Sequence, residues 1–271
     1  MKIKNTKSLI LIYMIIFVVL IVWWFPIIWI FLTSIRTLAD TLSYPPVWIF
    51  KVTLENYTTV LHNSNFTKAL LNSIITATSS TFFVLLLAIP AAYVLTRYDF
   101  HSIDFYILST KMTPPIVVLF AFYLIFFKLG MLGTLYSLII LHIALNLPMG
   151  VWLLKGFFQN IPVEIEEAAK IDGCSQRQII TRIDIPLSFN GICITGILCF
   201  MFSWMEFLFA STLTGGDSVT VPVMVFRWLS YTQIDWGALA ATGVLYVIPI
   251  SILVLIIRKE ITKGISFGLV K

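Results

Sequence analysis

The chain has 271 residues, of which 59% are hydrophobic and 11% are charged, and its mean hydropathy is +0.96. So few charges cannot cover a water-soluble globule of this size, which excludes a soluble domain and predicts an integral membrane protein. The formal net charge of +5 comes without a basic patch interleaved with aromatic residues, so nucleic acid is not an expected partner.

Apolar segments of roughly 20 residues, long enough to cross a hydrocarbon core of about 30 Å as helices, recur along the chain. Six spans are predicted, at about 9–33, 70–95, 105–127, 134–156, 188–213 and 237–257. The first follows three lysines, but its apolar run is about twice that of a signal peptide and no cleavage site follows, which favours a retained anchor. We expect residues 1–271 to form one all-α transmembrane domain.

The Lys and Arg residues predict the orientation of this domain, because basic residues favour the cytoplasmic side. Thirteen of the 18 lie on the side that includes both termini and the loop between spans four and five. The other five are Arg36, Lys51, Lys68, Lys128 and Arg227. Both termini and that loop are therefore expected in the cytoplasm. On the opposite side, the spacing of Leu54, Tyr57 and Leu61 predicts a short helix on the membrane surface, with Thr53 as its N-cap.

The cytoplasmic loop at about 159–187 reads as a soluble module between two apolar spans. Pro162 suits the first turn of a helix at about 162–171, Gly173 suits a left-handed turn after it, and Ser175 with Gln178 has the spacing of a capping box that starts a second helix. Three pairs of side chains suit contact with a partner: two small ones leave a bare face, two apolar ones can act as anchors, and two acidic ones can accept hydrogen bonds from basic groups. They are Ala168 and Ala169, Ile165 and Ile171, and Glu167 and Asp172. Both a docking surface and a plain polar hairpin of helices fit this pattern.

Within this loop, Glu167-Ala168-Ala169, three residues, Gly173, nine residues, and Ile183-x-Ile185-Pro186 resemble the EAA signature of permease subunits of binding-protein-dependent ABC importers. In that family the loop forms coupling helices that dock on a cytoplasmic ATPase. The resemblance implies that the module is this coupling loop. The ATPase-coupling residues that it implies are Glu167, Ala168, Ala169, Asp172, Gly173, Ile183 and Pro186.

Further motifs along the chain are similar to the carbohydrate branch of the family, the maltose-type second permease. They are Leu54-Glu55-Asn56-Tyr57, Asn72-Ser73, Met112-Thr113-Pro114-Pro115, Asn146-Leu147-Pro148, Trp204-Met205-Glu206-Phe207 and the tail 264–271. Departures from the family pattern are Cys174, Met205 and Ile185, and the tail has a shorter Gly/Ala pattern than is typical. The resemblance implies a plasma-membrane complex in which this chain lies among lipid and pairs with a second permease, two ATPase subunits and an external or periplasmic solute-binding protein. The expected substrate is a carbohydrate or polyol.

No cofactor is expected in this chain, because it lacks the G-x-x-x-x-G-K-[ST] motif for ATP and any His/Cys grouping at metal-ligand spacing. ATP and Mg²⁺ would bind to the partner ATPases, and this subunit is expected to be non-catalytic. Cys174, Cys193 and Cys199 lie in the cytoplasmic loop or the fifth span, so no disulfide is expected.

Polar groups at membrane depth offer a second candidate site. An ionised Glu206 would cost on the order of 2.5–3.5 kcal/mol at the bilayer centre, so it should face the bundle interior or a watery cavity. It either lines the translocation path or gate, or forms an interhelical hydrogen bond with Asn146 or His142. Pro114 breaks regular hydrogen bonding near span three, which suits a bending helix or a helix that starts late.

Three other functions compete with the carbohydrate permease. A permease of the same family could carry a non-sugar solute such as glycerol 3-phosphate. A secondary transporter would show inverted repeats or an intramembrane charge relay, and a membrane-embedded enzyme would place a second catalytic group at the depth of Glu206. The sequence shows neither of the last two patterns.

Overall fold

The structure is a computed structural model that describes residues 6–98, 100–229 and 234–267. Helices dominate these ranges, in which the β-pairing consists of one isolated bridge between Leu229 and Ile234. Lys2 and Lys4 of the predicted cytoplasmic N-terminus, and residues 268–271 of the tail, lie outside the described residues.

Fourteen α-helices follow one another in the described ranges. They are α1 (Thr6–Ser34), α2 (Leu38–Leu42), α3 (Glu55–His62), α4 (Ser64–Arg97), α5 (His101–Ser109), α6 (Pro115–Lys128), α7 (Leu135–Phe158), α8 (Val163–Ile171), α9 (Gln176–Ile179), α10 (Ile185–Leu187), α11 (Phe189–Trp204), α12 (Leu208–Leu213), α13 (Val221–Met224) and α14 (Trp236–Phe267). A π-helical turn spans Ile180–Asp184, and 3-10 turns span Thr110–Met112, Gly216–Ser218 and Val225–Trp228.

Four of these helices, α1, α4, α7 and α14, are long and apolar enough to cross a membrane. The described residues hold up to six spans if two bent helix pairs, 102–112 with 115–128 and 176–187 with 189–204, each count as one. The protein is therefore an all-α integral membrane protein, as the composition predicted.

Two of the predicted spans are interrupted helices. The third, expected at 105–127, divides at Thr113 and Pro114, because Pro115 has no N–H to continue a helix and instead occupies the first turn of α6. The fifth, expected at 188–213, divides between the end of α11 at Trp204 and the start of α12 at Leu208. Hydrophobicity predicted the length of these segments but not their breaks.

The contacts within the chain divide it into two compact units, of which the first comprises residues 1–66 and 225–248. Helix α3 lies where the sequence predicts a short helix, although Leu54 occupies the N-cap position and Thr53 Oγ1 accepts a hydrogen bond from the Glu55 N–H at 3.2 Å. Asn56 Nδ2 donates to the Ser34 carbonyl at 2.9 Å, and Tyr57 Oη lies 2.7 Å from Ser34 Oγ. These bonds tie α3 to the end of α1.

The second unit comprises residues 67–224 and 249–271, and its core forms where small side chains let α4, α7 and α11 approach closely. A Cβ atom on Gly150 of α7 would lie 2.9 Å from Val84 Cγ1 of α4. Deeper polar groups join the same helices: Asn146 Nδ2 donates to Ser203 Oγ at 3.0 Å, and Ser203 Oγ lies 2.9 Å from Ser80 Oγ. This unit carries both candidate sites.

Candidate functional site

The loop at 159–187 folds as the helix, tight turn and helix that the sequence predicts. Helix α8 begins after Pro162, and its end forms two capping bonds, from the Gly173 N–H to the Lys170 carbonyl at 3.0 Å and from the Cys174 N–H to the Ala169 carbonyl at 2.9 Å. Gly173 has φ +85°, a left-handed conformation that side-chain-bearing residues rarely adopt.

The second helix of the loop, α9, begins with the predicted capping box. The Ser175 N–H donates to Gln178 Oε1 at 2.8 Å, and the Gln178 N–H donates in return to Ser175 Oγ at 3.4 Å. Local hydrogen bonds thus define the turn between the two short helices.

The open face of α8 differs in part from the predicted one. Ala169, which was expected on that face beside Ala168, is only 7% exposed and packs against the rest of the chain. Ile171 is 86% exposed and thus presents a large apolar side chain at the surface of α8. The residues that form this open face, hereafter the docking face, are Ile165, Glu167, Ala168, Ile171 and Asp172.

Beyond α9, the chain reaches the membrane through a bend rather than a straight helix. The Ile185 N–H bonds to the Ile180 carbonyl, five residues back, and this widened turn contains Ile183. Pro186 lies in α10, and α11 begins only at Phe189 after a bend of 79°. Ile183 is half-buried and Pro186 is exposed.

A buried polar cluster, which the sequence analysis did not predict, lies under α8. Glu166 is 1% exposed; its Oε1 accepts from Arg97 Nε at 2.5 Å and its Oε2 from the Tyr93 hydroxyl at 2.9 Å. Arg97 Nη2 also donates to the Ile161 carbonyl at 3.2 Å, and Gln176 Nε2 donates to the Tyr93 hydroxyl. The Glu166 carboxylate thereby joins α8 to the end of α4, and Gln176 joins α9 to Tyr93 of the same helix α4.

The fifth member of this cluster is Asp184, whose side chain is fully buried. Burial, and then the negative charge of Glu166, raise the pKa of Asp184 to about 6, against the opposing effect of Arg97. No pattern in the local sequence distinguishes the buried Glu166 from the exposed Glu167 beside it.

At membrane depth, Glu206 caps the helix that follows it. Its Oε1 accepts from the Phe209 N–H at 2.8 Å and its Oε2 from the Ala210 N–H at 2.9 Å, at the start of α12. The buried His142 Nε2 lies 3.5 Å from Glu206 Oε2. Asn146, the other expected partner, bonds instead to Ser203. Two backbone N–H groups therefore hold Glu206, whereas neither ring nitrogen of the nearby His142 forms a hydrogen bond within the described part of the chain.

The remaining predicted residue, Pro114, is the N-cap of α6 and lies apart from these hydrogen bonds. Asn72 and Ser73, noted above as a motif, instead hold the chain before α13. Asn72 Nδ2 donates to the carbonyls of Asp217 at 2.7 Å and Val219 at 2.9 Å, while Ser73 Oγ accepts from the Val221 N–H at 2.9 Å. In the part of the chain that the structure describes, no three His, Cys, Asp or Glu side chains are grouped as a metal site.

Residues 84–266 match the family described as "Binding-protein-dependent transport system inner membrane component". Over 252 residues the chain is 32% identical to the Sinorhizobium fredii protein described as "Probable ABC transporter permease protein y4oR", covering 92% of this chain and 91% of the relative. It is 33% identical over 254 residues to the trehalose/maltose transport system permease protein MalG of Thermococcus litoralis, with 91% of each chain covered. A chain of a bacterial ABC transporter involved in the import of the acidic polysaccharide alginate shares the fold, with a TM-score of 0.79 and 20% identity over 96% of this chain and 99% of that one. This chain therefore belongs to the family of inner-membrane permease components of binding-protein-dependent transport systems.

Proposed function

We propose that this chain forms half of the translocation pathway of an ABC importer for a carbohydrate or polyol. The support is the family, together with a relative named for trehalose and maltose and a structural neighbour involved in alginate import. Its partners would be a second permease, two ATPase subunits and an external or periplasmic solute-binding protein. Both termini would lie in the cytoplasm, as the distribution of Lys and Arg predicts.

The observation that carries the coupling role is the docking face of α8. A residue as apolar and exposed as Ile171, at 86%, makes physical sense if a partner covers it, and Glu167 and Asp172 beside it can accept hydrogen bonds from basic groups of that partner. Behind this face, the Glu166–Arg97 ion pair connects α8 to the long helix α4. Movement of an ATPase against the docking face would therefore be passed to a membrane helix.

Glu206 and its neighbours would have a structural role in the translocation pathway. His142 lies beside Glu206, and Asn146 is hydrogen-bonded to Ser203. Together with the bonds from Glu206 to α12, these contacts would stabilise the break between α11 and α12 in the wall of the pathway. Pro114, at the start of α6, would permit a change of helix direction on the same pathway.

The test is transport by the complete complex, two permeases with their ATPases, in proteoliposomes. Uptake of a labelled sugar should require the loaded binding protein and internal ATP, and a complex with a hydrolysis-deficient ATPase is the control. The candidate sugars are those that raise the melting temperature of the binding protein encoded beside this gene. If that protein is stabilised only by glycerol 3-phosphate or another non-sugar solute, the carbohydrate assignment is wrong while the permease assignment stands. Uptake driven by an ion gradient without ATP would refute both.

A further inference from the structure

The buried cluster under α8 contains more acid than base. Arg97 is paired with Glu166, and Asp184 adds a second carboxyl group from the π-helical turn that leads to α10. The titratable groups that face Asp184 are Glu166 from α8 and Arg97 and Tyr93 from α4. The end of α7 contributes the carbonyl oxygen of Phe158, which Arg97 contacts at 3.4 Å. With both carboxyl groups ionised, the cluster would hold an uncompensated negative charge.

The geometry also leaves Asp184 without a donor. Neither of its carboxyl oxygens accepts a hydrogen bond from an N–H or O–H group of the residues that the structure describes, although both are buried. The charge of the buried Glu166 carboxylate acts on Asp184, but two carboxylates have no proton between them to form a hydrogen bond. One proton added to the pair would supply the missing donor and leave a single negative charge to match Arg97.

We infer that Glu166 and Asp184 share one proton when the coupling loop is seated on α4, and that loss of this proton loosens the loop, so that coupling responds to cytoplasmic pH. The inference rests on the proposed function in placing this loop in the cytoplasm against an ATPase. Glu166 and Asp184 are positioning residues, since they act through the placement of α8. The pair joins the two ends of the loop, because Glu166 lies before the Gly173 turn and Asp184 after it.

The direction of the pH effect follows from linkage. The pKa of Asp184 rises from 3.8 to about 6 in the seated loop, so this state binds more protons than a loosened one. The stabilisation of the seated loop is therefore complete below about pH 4 and is lost as the pH rises through about 6. A shift of about two units limits the change in the seating equilibrium to about a hundredfold.

The experiment compares the wild-type complex with Asp184→Asn, whose amide can donate to Glu166 at every pH. Hydrolysis stimulated by loaded binding protein is measured from pH 5.5 to 8, and hydrogen exchange of the α8 peptides is followed on the same samples. We expect the variant-to-wild-type ratio of stimulated hydrolysis to be already above one at pH 5.5 and to rise about fourfold further by pH 8, because only the last part of the pH-linked loss falls in this range. Wild-type α8 should exchange faster as the pH rises, after correction for intrinsic exchange, while Asp184→Asn stays protected.

Two further variants keep the test decisive. Glu166→Gln removes the second carboxylate, so Asp184 can ionise against Arg97, and the pH step should also disappear; this variant replaces Asp184→Asn if the latter fails to fold. Glu164→Gln, an exposed acid in the same helix, should follow the wild-type profile. Parallel pH profiles for wild type, Asp184→Asn and Glu166→Gln would overturn the inference. A wild-type complex that binds no ATPase at any pH would instead refute the proposed coupling function.

Discussion

Two substitutions of Gly173 distinguish backbone strain in the turn from disruption of the contact between the docking face and an ATPase. In Gly173→Ala, a side chain at φ +85° costs about 1 kcal/mol, which corresponds to a roughly fivefold change in a local equilibrium. A Cβ atom at this position would meet nothing within 4 Å, so no clash inside the chain adds to that cost. Asp is among the residues that tolerate the left-handed region best, so Gly173→Asp should cost the isolated permease no more than Gly173→Ala.

The two variants should therefore differ only when an ATPase is docked. Gly173→Asp would place a carboxylate in the covered interface, where an unpaired buried charge costs several kcal/mol. Both variants should insert in the membrane and pair with the second permease in normal yield. Transport should fall modestly for Gly173→Ala and collapse for Gly173→Asp.

The assay is purification of the complex, with the ATPase subunits counted per permease and hydrolysis measured with loaded binding protein. The matched control is Gly130→Asp, because Gly130 has φ +66° and equally open surroundings but lies in the loop between α6 and α7, on the face predicted to be external. It should keep its ATPase subunits. Full ATPase occupancy and normal stimulation in Gly173→Asp would show that the turn does not lie in the ATPase interface.

Three further predictions test the other parts of the proposal. Glu206→Gln keeps one acceptor for the α12 N–H groups and should leave transport within a few-fold of normal. Glu206→Leu removes both acceptors and should lower the yield of assembled complex. A changed sugar preference at normal yield would contradict the capping role. Asn72→Ala leaves two carbonyls without their donor and should lower the free energy of unfolding by about 1–3 kcal/mol. The measurement is the thermal midpoint of the purified complex, with substitution of the exposed Asn65 by Ala as the control. Equal midpoints for the two variants would refute this prediction. Cys174 should react with an impermeant thiol reagent only after cells are permeabilised, and labelling in intact cells would reverse the predicted topology.

The sequence by itself determined the features that depend on neighbouring residues. Membrane spans follow from the length of apolar runs, and the helix, turn and helix of the loop follow from Pro162, Gly173 and the Ser175 capping box, whose hydrogen bonds close within a few residues. The EAA spacing indicated the family on the same local evidence. The roles of individual residues in coupling and in the pathway remain predictions.

Tertiary structure decided which side chains face inward and where the helices break. Glu166 lies 69 residues from Arg97 along the chain, and Ala169 is turned inward by the same packing, so no local pattern distinguishes them from the exposed Glu167 and Ala168. The approach of the His142 ring to Glu206, at 3.5 Å, likewise comes from the packing of α7 and not from neighbouring residues. The buried Glu166 carboxylate is stable because a distant helix brings Arg97 to it. Hydrophobic periodicity describes neighbouring residues of one helix, so it cannot predict such a partner.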